Sequence, residues 1–131
     1  MSAGTETVLD QVAFDANGLI AAVAQQHDSG EVLMLAWMNR DALRETIETG
    51  RACYWSRSRG RLWRKGESSG QTQRVVELRL DCDRDAVLLL VDQTGVACHT
   101  GRLSCFYDAV RDGKLVSITE PLVDPDQLYG R

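Results

Sequence analysis

Short apolar runs with a period near two dominate this chain, a pattern that predicts strands joined by tight turns. Residues 19–26 (LIAAVAQQ) and 31–37 (EVLMLAW) flank His27-Asp28-Ser29-Gly30, which predicts a hairpin. Asn39 is placed to cap a helix running to about residue 49, with Ala42, Leu43, Thr46 and Ile47 on one face and Gly50 as its stop. Residues 52–56 (ACYWS) predict a strand, and 57–71, rich in Arg, Gly and Ser, a long loop. Residues 74–83 (RVVELRLDCD) alternate, which puts Val76, Leu78, Leu80 and Cys82 on one face. Residues 86–91 (AVLLLV) predict a buried strand, 92–95 a turn, 104–110 a further strand, and Asp112-Gly113 a turn into 115–118. The first 18 residues predict an arm or lead-in strand ending in a turn, and the tail from Glu120 predicts little order. The expected fold is α+β: one strand-rich domain over residues 1–131, with one or two short helices.

At 131 residues the chain has the length of one domain, and its modest formal charge of −4 indicates neither a polyanion-binding protein nor a disordered acidic tail. No apolar run reaches membrane-span length, and residues 1–18 lack a basic-then-apolar leader, so a cytoplasmic protein is expected. Thiols stay reduced there, which directs the four cysteines toward metal binding or plain burial. Cys53 stands apart from the others and is expected to pack as a small hydrophobe.

Two ligand types meet in the segment Asp81-Cys82-Asp83-Arg84-Asp85. If the run is extended, Asp81, Asp83 and Asp85 share one face and Cys82 the other. Carboxylates suit a hard cation such as Mg²⁺, thiolates a Zn²⁺ ion. Alternate residues of a straight strand lie about 7 Å apart, so convergence on one ion requires a bend or a strand end. The other reading is a solvated polar face. The pattern is similar to the start of a calcium-binding helix–loop–helix loop, but Ala86 stands where that loop needs glycine. Cys82, Cys98 and Cys105 are separated by 15 and 6 residues, which is no zinc-finger spacing. They read either as three ligands of a catalytic zinc, whose open position holds water, or as three buried structural thiols. His99, next to Cys98, reads as a proton carrier or as a hydrogen-bonded core residue.

Residues 57–65 carry five positive charges, flanked by Tyr54, Trp55 and Ser56 before and Ser68 and Ser69 after. Arginine forks, hydroxyls and glycine backbone suit phosphate oxygens, and a tryptophan can stack on a base. A solvated surface loop and a single-stranded nucleic-acid site are the competing readings.

Taken together, "GEVLMLAWMNRDAL", "TGRACYWSRSRGRLWRKGESSGQ", "DCDRD" and "ACHTGRLSCF" closely resemble the phosphoribosyl-AMP cyclohydrolases of histidine biosynthesis, over residues 18 to 110. Ser68 and Gln71 are small departures from the common pattern. The resemblance implies hydrolysis of the N1–C6 bond of the adenine ring of N1-(5-phosphoribosyl)-AMP, giving the formimino-aminoimidazole carboxamide ribonucleotide. It implies an intertwined homodimer in which Cys82 of one subunit joins Cys98 and Cys105 of the other around zinc, with Asp81, Asp83 and Asp85 holding magnesium. His99 is then the candidate for moving protons, and Trp55, Ser56, Arg57, Ser58, Arg59, Lys65, Ser68 and Ser69 the candidates for holding the phosphorylated substrate. No length is left for the pyrophosphohydrolase domain fused in many relatives, so one activity is expected, with neither nucleic acid nor membrane as partner. Two other readings compete with this one. A zinc nucleobase deaminase needs His-x-Glu and Pro-Cys-x-x-Cys, which do not occur. A structural-zinc nucleic-acid module using residues 57–65 conflicts with a sequence pI of about 5.1.

Overall fold

The computed structural model describes residues 3–128. Its elements, in chain order, are α1 (Ala3–Asp10), β1 (Ile20–Gln26), β2 (Val32–Met38), α2 (Arg40–Thr49), β3 (Cys53–Ser56), β4 (Arg61–Arg64), β5 (Gln73–Leu80), β6 (Ala86–Gln93), β7 (Asp108–Arg111), β8 (Lys114–Ser117) and the single turn α3 (Pro125–Leu128). Four strands form the main sheet in the order β2-β1-β6-β5, with β1 parallel to β6 and the other neighbours antiparallel. The hairpins β3–β4 and β7–β8 form two small separate sheets. The strand-rich α+β expectation holds.

Alternation sets the core. Ala22 and Ala24 of β1, Leu33 of β2, and Val87, Leu89 and Val91 of β6 are buried on one face, together with Leu43 of α2 and Tyr54 of β3. Helix α2 starts and stops as its sequence dictates. The Asn39 side chain accepts the Ala42 N–H at 2.8 Å, and Gly50, at φ 73°, donates its N–H to the Thr46 carbonyl. Thr46 then joins helix to hairpin: its buried Oγ1 accepts the Cys53 N–H at 3.0 Å and donates to the Ala42 carbonyl at 2.9 Å.

Several sequence expectations are corrected. The N-terminal segment is a helix, not an arm or strand: Thr5, Leu9 and Val12 face inward, and Glu6 pairs with Arg40 and Arg44 of α2. The Arg44 hydrogen bond leads in holding the Glu6 carboxyl at about 2. The 57–71 loop contains β4, because Gly60 turns the chain back so that Arg61 pairs with Ser56. Strand β5 ends at Leu80, before Cys82. A bulge between Val75 and Glu77 also shifts the alternation, so that Val75, not Val76, packs inward with Leu78 and Leu80. Val76 is 47% exposed. Residues 104–107 attach to β2 without forming a strand, and β7 begins only at Asp108. The tail from Glu120 closes in a helical turn that buries Leu128.

Thr46→Val is expected to lower unfolding stability by about 1–3 kcal/mol, because the buried Cys53 N–H loses its acceptor, while Thr46→Ser retains most of it. Urea denaturation of the two variants checks this.

Candidate functional site

Three places in the fold gather chemistry: the β5–β6 turn, the segment from Val96 to Cys105, and the β3–β4 hairpin with the loop behind it.

The turn supplies the bend that carboxylate convergence requires. Arg84 takes a left-handed conformation, φ 62°, and its N–H donates to the Asp81 carbonyl at 3.1 Å. Asp81 Oδ1 accepts the N–H groups of Asp85 at 3.0 Å and Ala86 at 3.2 Å. Asp81, Asp83 and Asp85 are thereby folded inward, each offering an oxygen within 4.8 Å of the others, and all three are exposed. Among the described residues no other three His, Cys, Asp or Glu side chains converge in this way. The extended run of the sequence reading is therefore a hairpin turn.

The carboxyls answer this crowding unequally. Partial desolvation pushes Asp81 up, but the N–H groups of Asp85 and Ala86 outweigh it and hold it below its ordinary value. Asp85 is raised to about 6, first by its hydrogen bond with Asp83, then by desolvation and by Asp81. The donor set fits Mg²⁺ chemically: three hard oxygens whose mutual repulsion a divalent cation relieves. Mg²⁺ holds oxygens at about 2.1 Å, so neighbouring ligands of the ion would lie about 3 Å apart and the carboxylates would draw closer together to hold it.

Cys98 and Cys105 form a second cluster. The 98–101 turn is closed by the Gly101 N–H on the Cys98 carbonyl, and Cys105 is moored by its own N–H on the Leu33 carbonyl of β2 at 2.7 Å. Cys98 is buried and accepts a hydrogen bond from Thr100 Oγ1 at 3.1 Å. The two thiols interact directly. Burial first, then the Cys98 thiol beside it, pushes Cys105 up to about 12, although the residue as a whole remains exposed. Two adjacent thiols fit a soft cation able to hold both as thiolates. Cys53, by contrast, is fully buried, its thiol pushed up to about 12 mainly by burial, and packs in the core as expected.

Cys82 does not join that pair within one chain. It sits exposed on the turn that opens β6, whereas Cys105 is fixed to β2, two strands away and level with the far half of β6. Four residues along the strand and two strand spacings across give a separation on the order of 15 Å. Zn–S distances of about 2.3 Å put three thiols on one zinc out of reach of a single chain.

The third feature is a cavity of about 270 Å³ lined by Ser56, Arg59, Arg61, Trp63, Arg64, Lys65, Gly66, Glu67, Ser68 and Ser69. Of the residues singled out in the sequence for the substrate, Ser56, Arg59, Lys65, Ser68 and Ser69 are brought together here. Trp55, Arg57 and Ser58 lie outside its lining: Trp55 pairs with Leu62, Arg57 stacks on Trp37 at 4.7 Å, and Ser58 lies 3.4 Å from the Ser56 hydroxyl. Arg61, Trp63, Arg64, Gly66 and Glu67 complete the lining and are not among the sequence candidates. The Gly60 turn was the available signal, since a hairpin there faces residues 61–64 back onto 53–56. Arg64 is committed to Glu45 at 2.7 Å. Lys65 joins cavity to thiols. Burial pulls its ammonium below the ordinary lysine value, and the electrostatic influence of Cys105 and Cys98 offsets this in part. His99 is exposed on the thiol turn.

In metal-free protein, Asp85 is expected to titrate near 6, and Asp83→Asn to return it toward the usual carboxylate range, read by carboxyl carbon NMR. A carboxyl raised on folding binds its proton more tightly in the native state, so this pair favours folding below the unfolded value and loses that contribution as pH rises through about 6.

A family model described as phosphoribosyl-AMP cyclohydrolase matches residues 34–107, which contain all three features. Three relatives span nearly the whole chain. A protein of Rhodospirillum rubrum named phosphoribosyl-AMP cyclohydrolase is 67% identical over 129 residues, 98% of this chain and 90% of its own. One of the same name from Granulibacter bethesdensis is 65% identical over 94% of this chain and 97% of its own. Phosphoribosyl-AMP cyclohydrolase 2 of Pseudomonas fluorescens is 70% identical over 89% of this chain and 80% of its own. With the carboxylate turn, the thiol pair and the basic cavity all inside the matched region, this chain belongs to the phosphoribosyl-AMP cyclohydrolase family of enzymes.

Proposed function

We propose that this enzyme opens the adenine ring of N1-(5-phosphoribosyl)-AMP by adding water at C6 and breaking the N1–C6 bond. The observation that carries this reading is Lys65, which lines the basic cavity and lies within electrostatic reach of both Cys98 and Cys105. A phosphorylated nucleotide held in the cavity is thereby held beside the thiol pair. Ser56, Arg59, Lys65, Ser68 and Ser69 take the phosphate oxygens, with Arg61 and the Gly66 backbone beside them. Trp63 offers the only aromatic surface in that lining and suits an edge or face of the purine.

Cys98 and Cys105 of one subunit, with Cys82 of the partner subunit, hold zinc, which when bound supplies activation of water at neutral pH. The separation of Cys82 from the other two thiols within a chain supports the shared arrangement. So does the exposed apolar surface: Phe106, Val110, Leu115 and Leu122 lie in and around the β7–β8 hairpin, next to Cys105, with Val110 75% exposed. Two copies related by a twofold axis bury such surface and build the site twice. Asp81, Asp83 and Asp85 hold Mg²⁺ and place its charge near the phosphates. His99, exposed beside Cys98, accepts a proton at a ring nitrogen as water adds and returns it to the departing N1. The substrate's ribosylated N1 makes C6 electrophilic, so the residues have to position and move protons, not break an unactivated ring. Membership of an enzyme family leaves the nucleic-acid module without support.

The ultraviolet spectrum of phosphoribosyl-AMP is expected to change on incubation with the purified protein, and to stop changing when a zinc chelator is present. Cys98→Ser or Cys105→Ser is expected to remove zinc and abolish turnover; full activity of metal-depleted Cys105→Ser sinks the reading. Mixing Cys82→Ser with Cys105→Ser protein is expected to restore about a quarter of the activity, since half the dimers are mixed and each of those has one intact site of two. No recovery, with subunit exchange demonstrated, rules out a shared site. Asp83→Asn is expected to weaken magnesium dependence at near-normal zinc content, measured by elemental analysis.

A further inference from the structure

The basic cavity and the thiol pair belong to different segments, and one carboxamide spans them. Gln71 follows the Ser68-Ser69-Gly70 turn, its backbone N–H donating to Ser69 Oγ and its Nε2 to the Ser69 carbonyl, both at 3.3 Å. Its Oε1 accepts the N–H of Val96 at 2.8 Å, two residues before Cys98. The partners fix which end of the amide is which, because a backbone N–H only donates and a carbonyl only accepts.

The surroundings hold that carboxamide in place. Gln93 Nε2 donates to the carbonyls of Gln71 at 3.2 Å and Val96 at 3.3 Å, so a second glutamine grips the same two segments. Gln93 Oε1 accepts from Gln73 Nε2 at 2.9 Å, and Gln73 Oε1 accepts the fully buried Tyr54 hydroxyl at 2.6 Å. Gly95, at φ 67°, completes the arrangement: a Cβ there would fall 1.7 Å from Gln71 Oε1. The chain reserves that space for the amide.

We propose that Gln71 is a positioning residue with two separable halves, Oε1 fixing the turn that carries Cys98 and Nε2 fixing the turn that carries Ser69. The proposal rests on the reading of the cavity and the thiols as parts of one site. It assigns metal geometry to one atom of the side chain and phosphate geometry to the other.

Gln71→Glu keeps an acceptor for Val96 and loses the donor to Ser69, whereas Gln71→Ala loses both. The zinc-loaded enzyme is tested for zinc affinity by chelator competition, for binding of adenosine monophosphate by calorimetry, and for kcat and KM. Gln71→Ala is expected to bind zinc about tenfold more weakly, with kcat reduced, the effect usual for loss of a group that orients a ligand. Gln71→Glu is expected to hold zinc within about threefold of the parent while its KM and its dissociation constant for adenosine monophosphate rise about tenfold, the equivalent of one hydrogen bond. Gly95→Ala, which displaces the carboxamide without altering it, is expected to follow Gln71→Ala in zinc affinity. The proposal is overturned if Gln71→Ala and Gly95→Ala bind zinc normally, or if Gln71→Glu loses zinc and nucleotide together in step with a fall in Tm. If Gln71→Ala fails to fold, the near-isosteric Gln71→Glu and Gly95→Ala decide alone. A parent protein with no turnover refutes the proposed reaction and leaves the two binding measurements to judge Gln71.

Discussion

Ionisable groups of one kind are packed together at two points in this fold, and the turns that carry them have to tolerate that. Three carboxylates share one turn, and Asp85 registers the strain as a carboxyl raised to about 6. Two thiols share a second site, and Cys105 registers it as a thiol held at about 12. In each cluster one member holds its proton more tightly than an isolated group of its kind, as mutual repulsion and burial require. The sheet keeps the two clusters apart, one at the opening of β6 and the other against β2. A single chain therefore presents its carboxylates and its thiol pair at separate places on the sheet.

The positive charge is distributed with comparable economy. Of the five cations between residues 57 and 65, Arg64 is paired with Glu45 and Arg57 lies over the Trp37 ring. That leaves Arg59, Arg61 and Lys65 for the cavity, with Glu67 also in its lining. Three cations around about 270 Å³ suit one or two phosphate groups. An extended polyanion needs a longer track of charge, and much of this hairpin's charge is already spent within the protein.

The parts legible in the sequence were those governed by local rules. The Asn39 and Gly50 caps, the β1–β2 hairpin and the alternation of β1 depend on neighbours in the chain, and all three are present. Helix α1 was missed because a polar residue, Thr5, occupies one of its buried positions; Thr5, Leu9 and Val12 nonetheless have helical spacing. Strand β4 was hidden by charged residues at both ends, and its existence depends on pairing with β3. The bulge at Val75 is a tertiary event that period two cannot anticipate. Motif resemblance identified the ligand-type residues without saying how they approach. The turn at Arg84 shows how the carboxylates converge, and the Leu33 contact shows why Cys105 lies far from Cys82.

What alternation could least reveal is the glutamine relay, because its members sit where a strand pattern expects something apolar or indifferent. Gln73 is completely buried on β5, a position that costs stability unless its amide is satisfied on both sides. Tyr54 and Gln93 satisfy it, and Gln93 in turn holds the loop that leads to Cys98. An apolar residue at 73 would fill the same space without a directional bond, and the Val96 turn would then be fixed by packing alone. Hydrogen bonds between planar amides tolerate little rotation, so the relay fixes the direction in which the Val96 turn leaves the sheet. The buried polar chain is therefore best understood as serving geometry: it carries the rigidity of the main sheet out to the loop that bears Cys98.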